Sequence, residues 1–289
     1  MTQAEALSHG AATIVNAIAA GKGAAFGLDL WTKAKVKLIN EPGVIEGHVL
    51  SDPDEKPVLI TKTVERVFRY FGVNDEFGAQ VETSSNIPIA RGLKSSSAAA
   101  NATALATVAA LKKSLDDMTI VNLGVDGALD AKVTITGAFD DASASYFGGV
   151  IITDNIKRKI LKRLVVPDNL TVLLCIPPKK SYTVNVDIDR IESVASLAEI
   201  AHKEASRGNY WQAMSLNGLI YSAALGYDSS IAVDALMAGA MAAGLSGKGP
   251  AVAAVVPDEK IDDVRIKWND HEAKILQTRV NHQKARVTS

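Results

Sequence analysis

The sequence predicts an α+β protein, and three observations carry that prediction. Trp31-Thr32-Lys33-Ala34-Lys35-Val36-Lys37-Leu38 alternates apolar with polar side chains, the mark of a half-buried strand. From Val58 to Tyr70 the spacing is helical instead: Leu59, Val64, Val67, Phe68 and the following Phe71 fall on one face. Patterns of both kinds are interleaved along the 289 residues, with no internal repeat.

Taken in order, Ala11 to Ile18 and Ala34 to Ile39 are apolar enough for strands, with GKGAAFGLDLWTK, Gly21 to Lys33, between them. A further strand is predicted at Glu46 to Leu50, then a polar, proline-containing loop from Ser51 to Pro57. The helix over Val58 to Tyr70 ends at Gly72, a residue suited to a left-handed cap. A strand over Gly78 to Thr83 and a loop over Asn86 to Lys94 lead into an alanine-rich helix, Ala98 to Leu111, closed by Lys112 and Lys113. Asp116-Asp117-Met118-Thr119 supplies capping residues for the next helix, Ile120 to Lys132, which Gly124 and Gly127 weaken unless a neighbour packs closely there. Strands follow at Tyr146 to Thr153 and Thr171 to Ile176, and the charged stretch Asp154 to Pro167 between them is the expected domain boundary, giving units of 1–160 and 161–289. Helices are predicted at Ile191 to Ala205, Tyr210 to Ala223, Ser229 to Ala243 and Asp258 to Trp268. A glycine loop and strand occupy GLSGKGPAVAAVVP, and a last strand Lys274 to Val280.

Composition narrows the function classes. With 47% hydrophobic and 22% charged residues the chain is too apolar to be disordered and long enough for one large core or two smaller ones. A formal net charge of −1, without a Lys/Arg run, argues against a nucleic-acid partner. Cys175 is the single cysteine, so no internal disulfide forms and a reducing, cytoplasmic location is expected. Met1 to Ala20 lacks a basic start followed by an apolar core, and no apolar run reaches membrane-spanning length, so neither a signal peptide nor a membrane partner is expected. Oligomeric state is open at this level.

The segment that points to chemistry is GLKSSSAAANATALA, from Gly92 to Ala106. Taken alone it fits a tightly packed helix with serine caps. Pro88, Arg91 and Gly92 before it place a turn immediately ahead of a helix start, where unpaired N–H groups and the positive end of the helix dipole favour an anion. Ser95, Ser96 and Ser97 add hydroxyls able to donate to phosphate or to ligate Mg²⁺. The common G-x-x-x-x-G-K-[ST] phosphate loop is absent, and Gly21-Lys22-Gly23-Ala24-Ala25-Phe26-Gly27 is only a partial dinucleotide-type pattern.

Pro88-Ile89-Ala90-Arg91-Gly92-Leu93-Lys94-Ser95-Ser96-Ser97-Ala98 resembles the central P-x-x-x-G-L-x-S-S-[AS]-A motif of the GHMP kinases. Gly244-Leu245-Ser246-Gly247-Lys248-Gly249-Pro250 is similar to their C-terminal glycine-rich motif, and Gly21-Lys22 with Phe26-Gly27 to the N-terminal motif of mevalonate kinase-like members. Val15 to Leu30, the Ser-Ser-Ser-Ala-Ala-Ala form of the central motif and the short chain look most like the archaeal-type shikimate kinases. The resemblance implies a two-domain GHMP kinase fold with nucleotide and acceptor between the domains. It implies ATP and Mg²⁺, with the loop 86–97 (Asn86, Ile87, Pro88, Ile89, Ala90, Arg91, Gly92, Leu93, Lys94, Ser95, Ser96, Ser97) holding the nucleotide.

Site roles follow residue by residue from the same resemblance. Asp141, seven residues before Gly148-Gly149, matches the aspartate that accepts the reacting hydroxyl's proton. The acidic pair also suits a helix cap, a reading that fits Asp140 better. Ser96 matches the metal-contacting serine. Asp130, eleven residues before Asp141, matches a metal carboxylate that is glutamate in the family, and Asp126 lies one turn earlier. Lys22 matches a lysine placed near the transferred phosphate in some relatives, and a solvated turn lysine is its other reading. An anionic acceptor calls for a cation, with Arg91, Arg207, Lys179 and Lys180 as candidates. The expected function is ATP-dependent phosphorylation of shikimate. The alternatives are the same chemistry on homoserine or mevalonate, and a non-catalytic metabolite-binding protein.

Overall fold

The structure, a computed structural model, describes residues 2–167, 170–178 and 187–289. It is built on two sheets. The first begins with two long antiparallel strands, β1 (Gln3–Val15) and β2 (Lys22–Ile39). The glycine-rich stretch from Lys22 onward is therefore strand throughout. The second half of β2 alternates buried and exposed residues as its sequence predicts. β2 is long enough to serve two neighbours. Its second half pairs with β4 (Gly78–Ser85), which also takes β3 (Ile45–Val49) in parallel, and its first half pairs with β5 (Val150–Asp154), itself paired with β6 (Lys159–Leu164). The second sheet is antiparallel throughout, in the order β10 (Lys274–Arg279), β7 (Leu170–Ile176), β9 (Val252–Pro257), β8 (Ala242–Leu245). The short β11 (Arg286–Val287) returns to the edge of the first sheet beside β1. The expected division at residue 160 thus falls inside β6, and the last strand lies with the first sheet.

Four helices cover the first sheet. α1 (Val58–Phe71) buries Ile60, Val64, Val67 and Phe68 and ends on Gly72 in the left-handed region. Beyond its first turn, α2 (Ser95–Ala110) is buried on every side. Its many alanines let β1, β2 and three other helices approach it closely, so enlarging one of these residues would overpack the core at a cost of ~1–3 kcal/mol. In α3 (Asp117–Asp130), Asp116 accepts the Thr119 N–H at 2.9 Å as the expected cap. Gly127 lies where a Cβ would run into Thr63 of α1, which supplies the close packing its presence demands. α4 (Phe139–Phe147) replaces the first part of a strand expected from Tyr146. Eight of its nine residues are buried, which leaves no periodicity to betray a helix.

The remaining helices flank the second sheet. The helix expected from Ile191 divides into α5 (Ile188–Glu192) and α6 (Ala195–Arg207). They are followed by α7 (Tyr210–Leu225), α8 (Ser230–Met237), which stops well before β8, and α9 (Ile261–Trp268). The largest core cluster lies between the sheets and joins Ile14, Phe26 and Ile152 to Val172, Leu174, Val255 and Trp211, with Phe26 and Trp211 edge to face at 5.4 Å. No described helix is long and apolar enough to cross a membrane.

Candidate active site

Two glycine-containing loops, distant in sequence, meet at the C-terminal end of β1. Ser246 Oγ donates to Gly92 O at 2.7 Å and accepts the Thr13 N–H at 3.2 Å. Gly247 N–H donates to Thr13 Oγ1 at 2.8 Å, and Asn16 Nδ2 to Gly247 O at 2.9 Å. Gly92 has φ +82 and its Cα faces Ser246 O so closely that a Cβ would collide with it, so glycine is required there twice over. The loop before α2 is thereby fixed from behind, and the free N–H groups at the head of α2 open onto a cleft of about 440 Å³.

One wall of the cleft is Ile89, Ala90, Gly92 and Lys94 to Ser97. Another is Val49, Lys56 to Ile60 and Thr83, an apolar end. The far side carries Ala131 to Thr136, Asp140, Asp141, Gly247 and Lys248. The helix begins at Ser95, three residues earlier than composition predicts. Its cap is Lys94 in the left-handed conformation (φ 63), and no serine side chain caps it. Ser96 is exposed on the cleft, and no hydrogen bond to its hydroxyl is formed among the described residues.

The left-handed turn at Lys94 sends its side chain inward. Lys94 is only 8% exposed, and its Nζ lies 3.1 Å from Asp141 Oδ1. Lys248 of the C-terminal glycine loop stands close by. Burial, and then the charge of Lys94, lower its ammonium to about 8. Asp141 and Asp140 sit in the first turn of α4, whose N-cap is Ala138 (φ 48), so neither carboxylate caps the helix. Asp140 is buried. Desolvation first, and then the neighbouring Asp141, push its carboxyl up to about 7, and Asn155 Nδ2 donates to its Oδ1 at 2.8 Å.

Several expected residues stand elsewhere. Lys22 is exposed at the start of β2, opposite Asp154, and does not line the cleft. The buried lysine beside Asp141 is Lys94. Asp130 is gripped through both oxygens by the Arg66 guanidinium of α1, which holds its carboxyl below the usual range, and it too is absent from the cleft wall. Asp126 is paired with Arg158 at 2.8 Å. Within the loop, Ile87 and Leu93 are core residues, and Asn86 accepts the Trp31 N–H at 2.7 Å. Asn86, Pro88 and Arg91 line a second cavity of about 630 Å³ beside Pro177 and Pro178. Arg91 donates to Pro178 O at 2.5 Å, and Arg207 is an exposed partner of Glu204. Lys179 and Lys180 lie outside the described residues. Among the described residues there is no cluster of three or more His, Cys, Asp or Glu side chains able to hold a metal by themselves. Sequence reasoning missed the inward role of Lys94 and Lys248. The signal it had was their place inside the two glycine motifs.

Residues 58–149, which include the central loop and the Asp140-Asp141 pair, match the GHMP kinases N terminal domain. The chain is 45% identical over 287 residues to the shikimate kinase of Methanothrix thermoacetophila, covering 98% of this chain and 95% of that protein. It is 41% identical over 285 residues to the shikimate kinase of Methanosarcina mazei, with coverages of 98% and 96%. Among solved structures, a homoserine kinase from Cytophaga hutchinsonii superposes with a TM-score of 0.77 at 17% identity, over 100% of this chain and 98% of that one. The mevalonate kinase of Methanococcus jannaschii gives 0.76 at 16% identity, over 96% and 98%. At such identities these two structures speak for the shared two-domain α+β fold alone.

Proposed function

The chain belongs to the GHMP kinase superfamily and, within it, to the archaeal shikimate kinases; from that premise we propose that it transfers the γ-phosphoryl group of ATP to a hydroxyl of shikimate, giving shikimate 3-phosphate and ADP. The observation that carries the reading at the level of chemistry is the convergence of the α2 N-terminus, Lys94, Lys248 and Asp141 on one cleft.

Each part has a physical task. The apolar end at Val49, Val58, Leu59 and Ile60 takes the nucleotide base, and the N–H groups of Ser95 to Ser97 take the phosphates. Phosphoryl transfer passes through a loose transition state, so the protein's work is alignment and charge neutralisation. Lys94 supplies a fixed positive charge on the side of the reacting group, and Lys248 a second one. The acceptor oxygen forms a bond to the γ-phosphorus as the bond to the β,γ-bridging oxygen breaks. The hydroxyl proton passes to the Asp141 carboxylate, and ADP leaves with the electron pair. Lys94 holds the Asp141 carboxylate in place until the hydroxyl arrives.

Mg²⁺ fits this donor set. The cation retains several waters and is commonly held by few protein oxygens together with the phosphates of its substrate. The exposed hydroxyl of Ser96 is the group that would hold it, while Asp130 is engaged by Arg66. When bound, the ion neutralises phosphate charge.

A panel of acceptors assayed with Mg-ATP tests the reading: shikimate should be phosphorylated, with homoserine and mevalonate inert. Turnover of homoserine or mevalonate without shikimate would overturn it.

A further inference from the structure

Asp140 has no task in that mechanism, yet it is the most heavily constrained acid in the cleft. It is 3% exposed and lines the same cavity as Asp141. Its orientation is set by a short relay. Thr153 Oγ1 donates to Asn155 Oδ1 at 2.6 Å, which fixes the Asn155 amide so that Nδ2 donates to Asp140 Oδ1 at 2.8 Å. The strand opposite is opened for it. A Cβ at Gly23 would run into the Asp140 carboxylate, so only glycine leaves that oxygen its place. A carboxylate can accept roughly four hydrogen bonds. Asn155 Nδ2 and the Asp141 N–H are the donors at Asp140. Lys94, whose charge also reaches Asp140, is paired with Asp141.

A buried carboxyl with acceptor capacity unused, on the wall of a substrate cleft, calls for a neutral donor from the substrate. Asp140 and Asp141 are consecutive, so their Cα atoms are about 3.8 Å apart. Two carboxyls entering one cleft from adjacent positions suit hydroxyls on neighbouring carbons. We propose that Asp140 accepts a hydrogen bond from a second hydroxyl of the acceptor, next to the one that reacts at Asp141, and thereby restricts the enzyme to vicinal diols. The inference rests on the kinase reading above and adds a specificity determinant to it. A cleft built around an acceptor for a substrate hydroxyl rejects the analogue lacking that hydroxyl far more strongly than an apolar pocket would, because its own polar group is then left unpaired.

The test compares shikimate with its 4-deoxy analogue, which keeps the reacting hydroxyl and lacks its neighbour, on the wild type, Asp140→Leu and Asp140→Asn. The wild type should prefer shikimate by ~10⁴ in kcat/KM. D140L should bring that preference within roughly tenfold, mainly through KM for shikimate and with KM for ATP unchanged, and D140N should fall between. If D140L does not fold, the same ratio is read from D140N, where it must drop by at least about tenfold. Calorimetric binding of the two acceptors in the presence of ADP gives the ratio without turnover. A D140L or D140N enzyme with the wild-type preference would overturn the proposal. So would an equal loss of kcat on both acceptors, which would place Asp140 in proton transfer. A wild type that phosphorylated homoserine, with its single hydroxyl, would refute both readings. One that took a different vicinal diol would refute shikimate and leave this inference standing.

Discussion

Replacing Lys94 by Met keeps most of the side chain's length and removes its charge, so it isolates what the ammonium does. Lys94 Nζ and Asp141 Oδ1 are 3.1 Å apart, with side chains 6% and 16% exposed. At an effective dielectric constant near 20, unit charges at that separation attract by about 5 kcal/mol before desolvation is counted. Removing one partner of such a pair leaves a buried carboxylate whose hydroxyl-accepting geometry is no longer held. The same ammonium faces the charge that develops on the transferred phosphoryl group. Loss of one preorganised donor of this kind costs ~3–4 kcal/mol, or about 10²–10³ in kcat. K94M should therefore fall by that factor at saturating ATP and shikimate, read as ADP release in a coupled assay, with circular dichroism confirming the fold. Lys22→Met serves as the contrast. Lys22 is exposed outside the cleft, so its loss should change kcat by less than about threefold. A folded K94M within about fivefold of wild type would refute the assignment, as would a collapse of K22M while K94M stayed active.

Three further outcomes follow from the same geometry. Asp141→Asn should lower kcat by ~10² or more while the Kd for ATP, from calorimetry, changes only severalfold; unchanged turnover would remove Asp141 as proton acceptor. Burial and Lys94 lower the Lys248 ammonium to about 8, and bound phosphate should raise it again. ATP affinity should thus be full below that pH and weaken as pH rises through it, with proton uptake near pH 8 seen as a buffer-dependent binding enthalpy; a flat profile would contradict this. Asp140 is raised from 3.8 to about 7 on folding. Its neutral form is favoured in the native state, so its contribution to stability is present at low pH and is lost as pH rises through about 7. Urea midpoints for D140N relative to wild type should therefore improve between pH 4.5 and 7.5, and a constant difference would count against the buried, protonated carboxyl.

What the sequence reveals and what it conceals divide along physical lines. Caps and amphipathic faces are local, so α1 with its Gly72 terminus and α3 with its Asp116 cap are readable from a dozen residues. A helix buried almost all round, such as α4, has no polar face, and its sequence passes for the start of a strand. The turn ahead of α2 is legible from Gly92 and the serines. The inward turn of Lys94 is not, because its left-handed backbone is imposed by a loop clamped from Ser246. Asp130 illustrates the opposite error. Its spacing from Asp141 fits a metal ligand, but its partner Arg66 lies 64 residues away on another helix, and spacing carries no trace of that.

The clamp behind Gly92 has a bearing on how the protein is made. Thr13, Gly92 and Ser246 close on one another, and Ala251 N–H reaches Arg91 O at 3.1 Å. A chain emerging from the ribosome has its serines early and their backing late. Until residues 246–251 are synthesised, the loop ahead of α2 lacks the backing that Ser246 and Ala251 give it. On the proposed reading, nucleotide should stabilise a shorter chain little, and ATP affinity should rise once residues 246–251 have been made.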